Sequence, residues 1–274
     1  MGLHLCRGTP LESVLKRDRI VVMIGLTFVV LVAAAYVVAG IGMNMSAVTM
    51  TRMAIEMPGM AMQQTAWSVG YGLVVFLMWW VMMVAMMVPS AAPMVLTHAA
   101  IGRKQEKAGR PLAATGLFVA GYLAIWAIFS LIATMSQWGL QSLGILTGMM
   151  EIASPTIAGL VLIAAGLYQL TPFKYACLTH CQSPLTFILH HWRPGRAGAF
   201  RMGIEHGGYC LGCCWFLMTL LFFGGIMNLI WIAGIAIYVG IEKFAAGHRW
   251  LTIAVGVSLI VVGLKIVVSS FLAV

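Results

Sequence analysis

The chain has 274 residues, 62% of them hydrophobic and 8% charged, with a mean hydropathy of +0.99, whereas soluble domains are only about half apolar. Runs of about 20 apolar residues mark bilayer-spanning helices, because a helix satisfies its own backbone in hydrocarbon, and no short alternating segments point to a β-barrel. The net charge of +9 collects between the apolar runs, so it reads as a topology signal and excludes nucleic acid as a partner.

The expected fold is all-α: a single integral membrane domain over 1–274, a polytopic transmembrane helical bundle of about seven spans. They are read at 20–42, 71–97, 112–136, 155–172, 205–223, 226–243 and 250–272, with six or eight as the alternative counts. Residues 1–19 form a basic amino-terminal segment. The first apolar stretch exceeds the 7–15 residues of a secretory h-region and is expected to remain as an anchor.

The segment that follows, 43–70, carries "IGMNMSAVTMTRMAIEMPGMAM", with Met43, Met45, Met50, Met53, Met57, Met60 and Met62 close together. A thioether binds Cu(I) where a thiol would oxidise to a disulfide, so an external loop of this kind suits copper gathering. The alternative is a flexible hydrophobic loop lying on the membrane surface.

The second span holds "MWWVMMVAMMVPSAAPM". Met78, Met82 and Met86 recur every fourth residue, and Met83 and Met87 form a neighbouring row, so the thioethers make a stripe. The stripe can pass a soft cation along the helix or fill gaps between helices. Pro89 and Pro93 then interrupt the hydrogen-bond ladder, and such breaks line cavities or are covered by neighbours.

Five cysteines follow in two groups. "CLTHC" sets Cys177 and Cys181 one helical turn apart around His180, and "EHGGYCLGCCWFLM" sets Cys210, Cys213 and Cys214 on one helix face, with His206 a turn earlier. Thiolates suit Cu(I) or Zn(II): four make a closed zinc site, while two or three suit copper that must leave again. "CLGC" also fits a redox pair, and small thiols can simply pack a helix seam. Glu205 beside His206 is expected to orient the imidazole, and Glu151 to cap the helix starting near Ser154. "FFGGIMN" reads as the turn between spans five and six, and Lys265 is the one cation well inside a span.

Fourteen of the sixteen Lys and Arg lie before span one or in the loops after spans two, four and six, with Arg52 alone opposite. The positive-inside rule makes that side, and the amino terminus, cytoplasmic. The thiols then face a reducing compartment, where structural disulfides are disfavoured.

The motifs "MWWVMMVAMMVPSAAPM", "QLTPFKYACLTHCQSPL", "WRPGRAGAFRMGIEHGGYCLGCCWFLM" and "FGGIMNLIW" together resemble a bacterial family of predicted metal-binding integral membrane proteins. Its members are also labelled copper-chaperone-like, after a membrane protein associated with polyphenol oxidase. The resemblance covers about 71–245 and implies a multi-pass inner-membrane protein that handles copper and helps supply copper enzymes, with metal ligands at Cys177, Cys181, Cys210, Cys213, Cys214 and His206. The reading is a non-enzymatic protein whose partners are the bilayer, copper ions and a copper-dependent client enzyme. It gathers, relays or transports Cu(I) through Met78, Met82, Met83, Met86 and Met87 to the Cys/His cluster that includes His180. The alternatives are an assembly factor with a structural zinc site and a membrane thiol oxidoreductase.

Overall fold

A computed structural model of the protein describes residues 10–41, 45–56, 66–105, 111–148, 150–245 and 249–272. The described chain is helical, its one β feature an isolated bridge between Leu146 and Ile152. The helices are α1 (Pro10–Ala39), α2 (Ala47–Glu56), α3 (Val69–Gln105), α4 (Pro111–Ser142), α5 (Pro155–Gln169), α6 (Pro172–Gln182), α7 (Pro184–His191), α8 (Gly195–Thr219), α9 (Leu221–Gly224), α10 (Leu229–Phe244) and α11 (Arg249–Leu272).

Local chemistry sets many of these boundaries. Ser154 caps α5, its hydroxyl accepting from the Ile157 N–H at 3.5 Å, and Pro155 occupies the first turn, where a missing N–H costs nothing. Glu151 is not the cap; it lies in the preceding loop, where burial pushes its carboxyl above the usual carboxylate range. Thr171 caps α6 through the Lys174 N–H at 3.3 Å, and Pro172 follows it. With α5 stopping at Gln169 and α6 starting afresh, the pair bends by 63°. The run read as spans five and six turns where expected, with Gly225 at φ +89° and Asn228 capping α10 through the Ile230 N–H at 3.1 Å.

Among the described residues, five helices, not seven, are individually long and apolar enough to cross a bilayer: the segments 19–39, 69–102, 114–142, 195–224 and 249–272. The other two expected spans fall short for a simple reason. The 15 residues of α5 and the 16 of α10 rise only about 23–24 Å against a hydrocarbon core of about 30 Å. Joined across its bend to α6, α5 makes a sixth, broken candidate. The fifth span also starts ten residues before the expected 205, because the glycine- and arginine-containing stretch from Gly195 is already helical.

At the centre stands α3, which remains helical through Pro89 and Pro93. It buries Met78, Met82, Met83, Met86 and Met87 together with Trp79, against Tyr122 and Trp126 of α4 and the cysteines of α8, while Met94 packs in a second cluster with Phe118 and Phe187. Indole and amide groups tie its other end to α4, Trp79 donating to Gln137 at 2.9 Å and Trp67 to Gln141 at 2.6 Å. The crossing of α4 and α8 is closer than side chains allow: a Cβ on Gly203 would overlap the Phe118 carbonyl, and one on Gly121 the Phe200 carbonyl. A second close pair joins α5 to α11, where Gly159 meets Gly263 and Gly166 meets Gly256. By contrast, only 11% of the spanning windows of α1 and α11 is buried within the chain, so their remaining apolar surface is available to lipid.

Of the methionine-rich loop, Met43, Met57, Met60 and Met62 lie outside the described residues. Met45, Met50 and Met53 border or belong to α2, which docks on the bundle: the Thr51 hydroxyl accepts from the Leu229 N–H at 2.9 Å. Met50 is buried in the same apolar cluster as the methionines of α3.

Candidate metal centre

The centre forms where α3, α4, α6, α8 and α10 converge. From α8, Cys210, Cys213 and Cys214 point inward as the i, i+3, i+4 spacing requires, and all three are buried free thiols. From α6, the buried Cys181 thiol lies close enough to Cys210 and Cys213 to interact with them electrostatically, and so does Cys214. The thiols of Cys213 and Cys214 donate to the Cys210 carbonyl at 3.1 and 2.9 Å. From α3, the Met87 thioether lies 3.9 Å from the Cys214 sulfur. Four thiols and one thioether thus gather in a water-poor interior.

Cys177 stands slightly apart, against the backbone of Gly212 on the neighbouring turn and close enough to Cys213 to interact with it electrostatically. Among the described residues, no three His, Cys, Asp or Glu side chains are arranged to hold one metal ion as they stand.

Two partners of the thiols, Lys243 and Tyr122, and Ser90 behind them escaped the sequence reading. The Lys243 ammonium, 5% exposed, donates to the Cys210 sulfur at 3.0 Å and to the Ser90 hydroxyl at 2.9 Å. Ser90 in turn donates to the Met87 carbonyl at 2.9 Å, beside Pro89. The Tyr122 hydroxyl lies 3.1 Å from the Cys210 sulfur and 3.2 Å from the Met87 carbonyl. The proline-containing stretch of α3 is therefore covered by polar groups from α4 and α10. Lys243 had been counted with loop cations; the usable signal was its place next to Glu242 at the end of an apolar run.

Glu242 carries the second buried network. It pairs with Lys174 of α6, both carboxylate oxygens 2.7 Å from the ammonium, and the two side chains are 2% and 0% exposed. Tyr238 and Thr252 donate to the same carboxylate at 2.5 and 2.9 Å, and Lys174 also donates to Gln169. Consecutive residues of α10 thus clamp α6, which carries Cys181, and reach Cys210.

The histidines divide. His206 is buried between Phe118, Tyr122 and Phe187, at ring separations of 6.0, 5.6 and 5.5 Å, and its Nδ1 has no hydrogen-bond partner. Glu205 does not orient it, contrary to expectation. On a helix, consecutive side chains diverge, and Glu205 turns outward to Arg193 at 2.8 Å and Arg201 at 3.9 Å. His180 faces away from the thiols, stacked on Tyr209 with centroids 4.1 Å apart.

All five methionines named on α3 are buried. Met87 touches a thiol directly, and Met78, Met82, Met83 and Met86 lie deeper in the same cluster. Lys265 is exposed on the outer face of α11.

No curated protein and no solved structure matches the chain. A family model described as PpoB2, a copper chaperone, matches residues 76–266, which take in the methionine stripe, both cysteine groups and the two buried lysines, and the chain belongs to that family.

Proposed function

We propose that the protein carries Cu(I) as cargo within the membrane and hands it to a copper-dependent client enzyme. In this reading Cys181, Cys210, Cys213, Cys214 and Met87 are the central ligands, with Cys177 and His206 at their margin. The observation that carries it is the placing of a buried ammonium, Lys243, against a cluster of thiols and a thioether.

Charge counting favours this cargo. A Cu(I) ion held by two thiolates has net charge −1, which Lys243 neutralises, so the loaded centre is neutral in a medium where uncompensated charge is costly. Zinc on four thiolates carries −2 and keeps an unbalanced charge beside the same lysine. Thiolate and thioether are soft ligands selective for Cu(I), and a site with few ligands releases its ion more readily than a closed tetrahedral one. The chemistry asked of the chain is binding and release, with no bond made or broken in a substrate.

The methionines supply a route to the centre. Met78 to Met87, which touches Cys214, spans about 14 Å of helix at 1.5 Å per residue, and Met50 of α2 belongs to the same buried cluster. The outer loop collects the ion and the thioethers of Met78, Met82, Met83, Met86 and Met87 relay it. Basic residues cluster at the end where α8 and α11 begin, which supports a cytoplasmic placing of that end in the bacterial inner membrane this reading takes as the setting.

Anaerobic Cu(I) titration of the detergent-purified chain, comparing wild type with Cys210→Ser/Cys213→Ser/Cys214→Ser, tests the reading. Loss of the tightest Cu(I) equivalent is expected. Unchanged copper content in the variant would remove the thiol centre, and a disulfide trapped between Cys210 and Cys213 in turnover would point instead to thiol exchange.

A further inference from the structure

Outside the thiol centre, His180, His190 and His191 line one surface recess of about 410 Å³ together with Thr179, Ser183, Thr186 and Phe187. His180 ends α6, and His190 and His191 end α7. Each Nδ1 lies against the carbonyl four residues earlier: His180 to Ala176 at 2.8 Å, His190 to Thr186 at 2.8 Å and His191 to Phe187 at 3.0 Å. A carbonyl only accepts, so each Nδ1 bears the proton and, in the neutral ring, each Nε2 is left with a free lone pair. An N–H donated to a backbone carbonyl is also the arrangement that orients histidines binding metals.

Two of the rings are held in place. His180 lies flat on Tyr209, with an interplanar angle of 1°, and His191 is stacked on Phe187 at 4.6 Å. Their centroids are 6.4 Å apart. Two imidazoles sharing one metal through bonds of about 2.0 Å place their centroids roughly 5 Å apart at a tetrahedral centre and about 6 Å apart as a trans pair, so a side-chain shift of about 1 Å or less brings the two rings onto one ion. His190, the residue before His191 and exposed, is the third donor of the recess.

We propose that this recess is a second metal site, an imidazole port that takes a borderline divalent cation, Cu(II) ahead of Zn(II), separately from the Cu(I) held by the thiol centre. The preference follows from imidazole as ligand and from the general order of divalent affinities. The two sites lie back to back on α6: His180 faces the recess, and the next residue, Cys181, faces the buried thiols. The proposal rests on the copper reading only for the identity of the cargo.

The test uses the untagged full chain with Cys181, Cys210, Cys213 and Cys214 changed to Ser, titrated with Cu²⁺ and followed by electron paramagnetic resonance. One equivalent with nitrogen hyperfine splitting is expected, weakened about tenfold or more by adding His180→Ala/His191→Ala, since even supporting residues of metal sites cost 10–100-fold. Should the cysteine variant not fold, wild type is treated with diethyl pyrocarbonate with and without Zn²⁺. Modification of His180 and His191, read by mass spectrometry, must then slow in the presence of the metal. Cu²⁺ binding that survives His180→Ala/His191→Ala, or modification rates indifferent to Zn²⁺, overturns the port. Cu(I) binding to the intact thiols is expected to be unchanged in His180→Ala/His191→Ala, so failure of the port and failure of the thiol centre are read separately.

Discussion

Replacing Glu242 with Gln tests the buried clamp on α6 with almost no change of shape. The substitution keeps an acceptor for Tyr238 and Thr252, now 2.5 and 2.9 Å from the carboxylate, but leaves the Lys174 ammonium, 0% exposed, facing an uncharged amide. Breaking a buried ion pair from one side costs about 3–5 kcal/mol, because the remaining charge is stranded. At roughly 2–4 °C per kcal/mol for a chain near this size, the thermal midpoint should fall by about 6–20 °C, measured by tryptophan fluorescence in detergent. Lys174→Met/Glu242→Gln removes the stranded charge and should regain most of that loss. A single variant within about 2 °C of wild type, or a double variant no better than the single, would refute the idea that this pair holds α6 against α10.

Lys243→Met should weaken Cu(I) binding by about 10–150-fold in competition with a chromophoric chelator, since a charged hydrogen bond is worth about 1.5–3 kcal/mol; Lys243→Arg, whose planar fork does not fit a point contact on sulfur, should restore little. Met87→Leu keeps the volume and should cost less than about 1.5 kcal/mol of stability, yet speed Cu(I) release measured by stopped-flow transfer to a chelator. Equal release rates would make Met87 a packing residue only. Gly203→Ala forces a methyl into the Phe118 carbonyl and should lower stability by about 1–3 kcal/mol. Gly208→Ala, which meets open space, should raise it by about 0.5–1 kcal/mol through helix propensity; thermal scans of the two should move in opposite directions.

Much of the centre was legible because helical spacing is a strong constraint. The i, i+3, i+4 run of Cys210, Cys213 and Cys214 could only present one face, and α6 and α8 are near enough in sequence for Cys181 to meet it. The methionine stripe was equally visible, since every fourth residue of a long apolar helix shares a side. What escaped depended on tertiary partners. Hydropathy reads Gly195–Met202 as loop because it weighs Arg196 and Arg201 and ignores that Gly203 and its neighbours let α8 run along α4. Lys243 and Lys174 look like topology charges until the fold buries them against a thiol and a carboxylate. The span count failed on α5 and α10, whose apolar residues are numerous enough in the sequence but whose helices are cut short, α5 ending at Gln169 ahead of Pro172 and α10 starting only after its Asn228 cap.

The glycine contacts between α5 and α11 also set a timetable for the molecule's birth. Gly159 and Gly166 cannot find Gly263 and Gly256 until about a hundred further residues have left the ribosome, an interval of about 5–20 s at 5–20 residues per second. Through that interval α5 stands in the bilayer with its close-packing groove uncovered, and α6 hangs from it by a bend without the Thr252 hydroxyl that later completes the Glu242 network. The thiols of α6 and α8 therefore meet a half-built neighbourhood first, and a premature metal ion would find them before their final frame is closed.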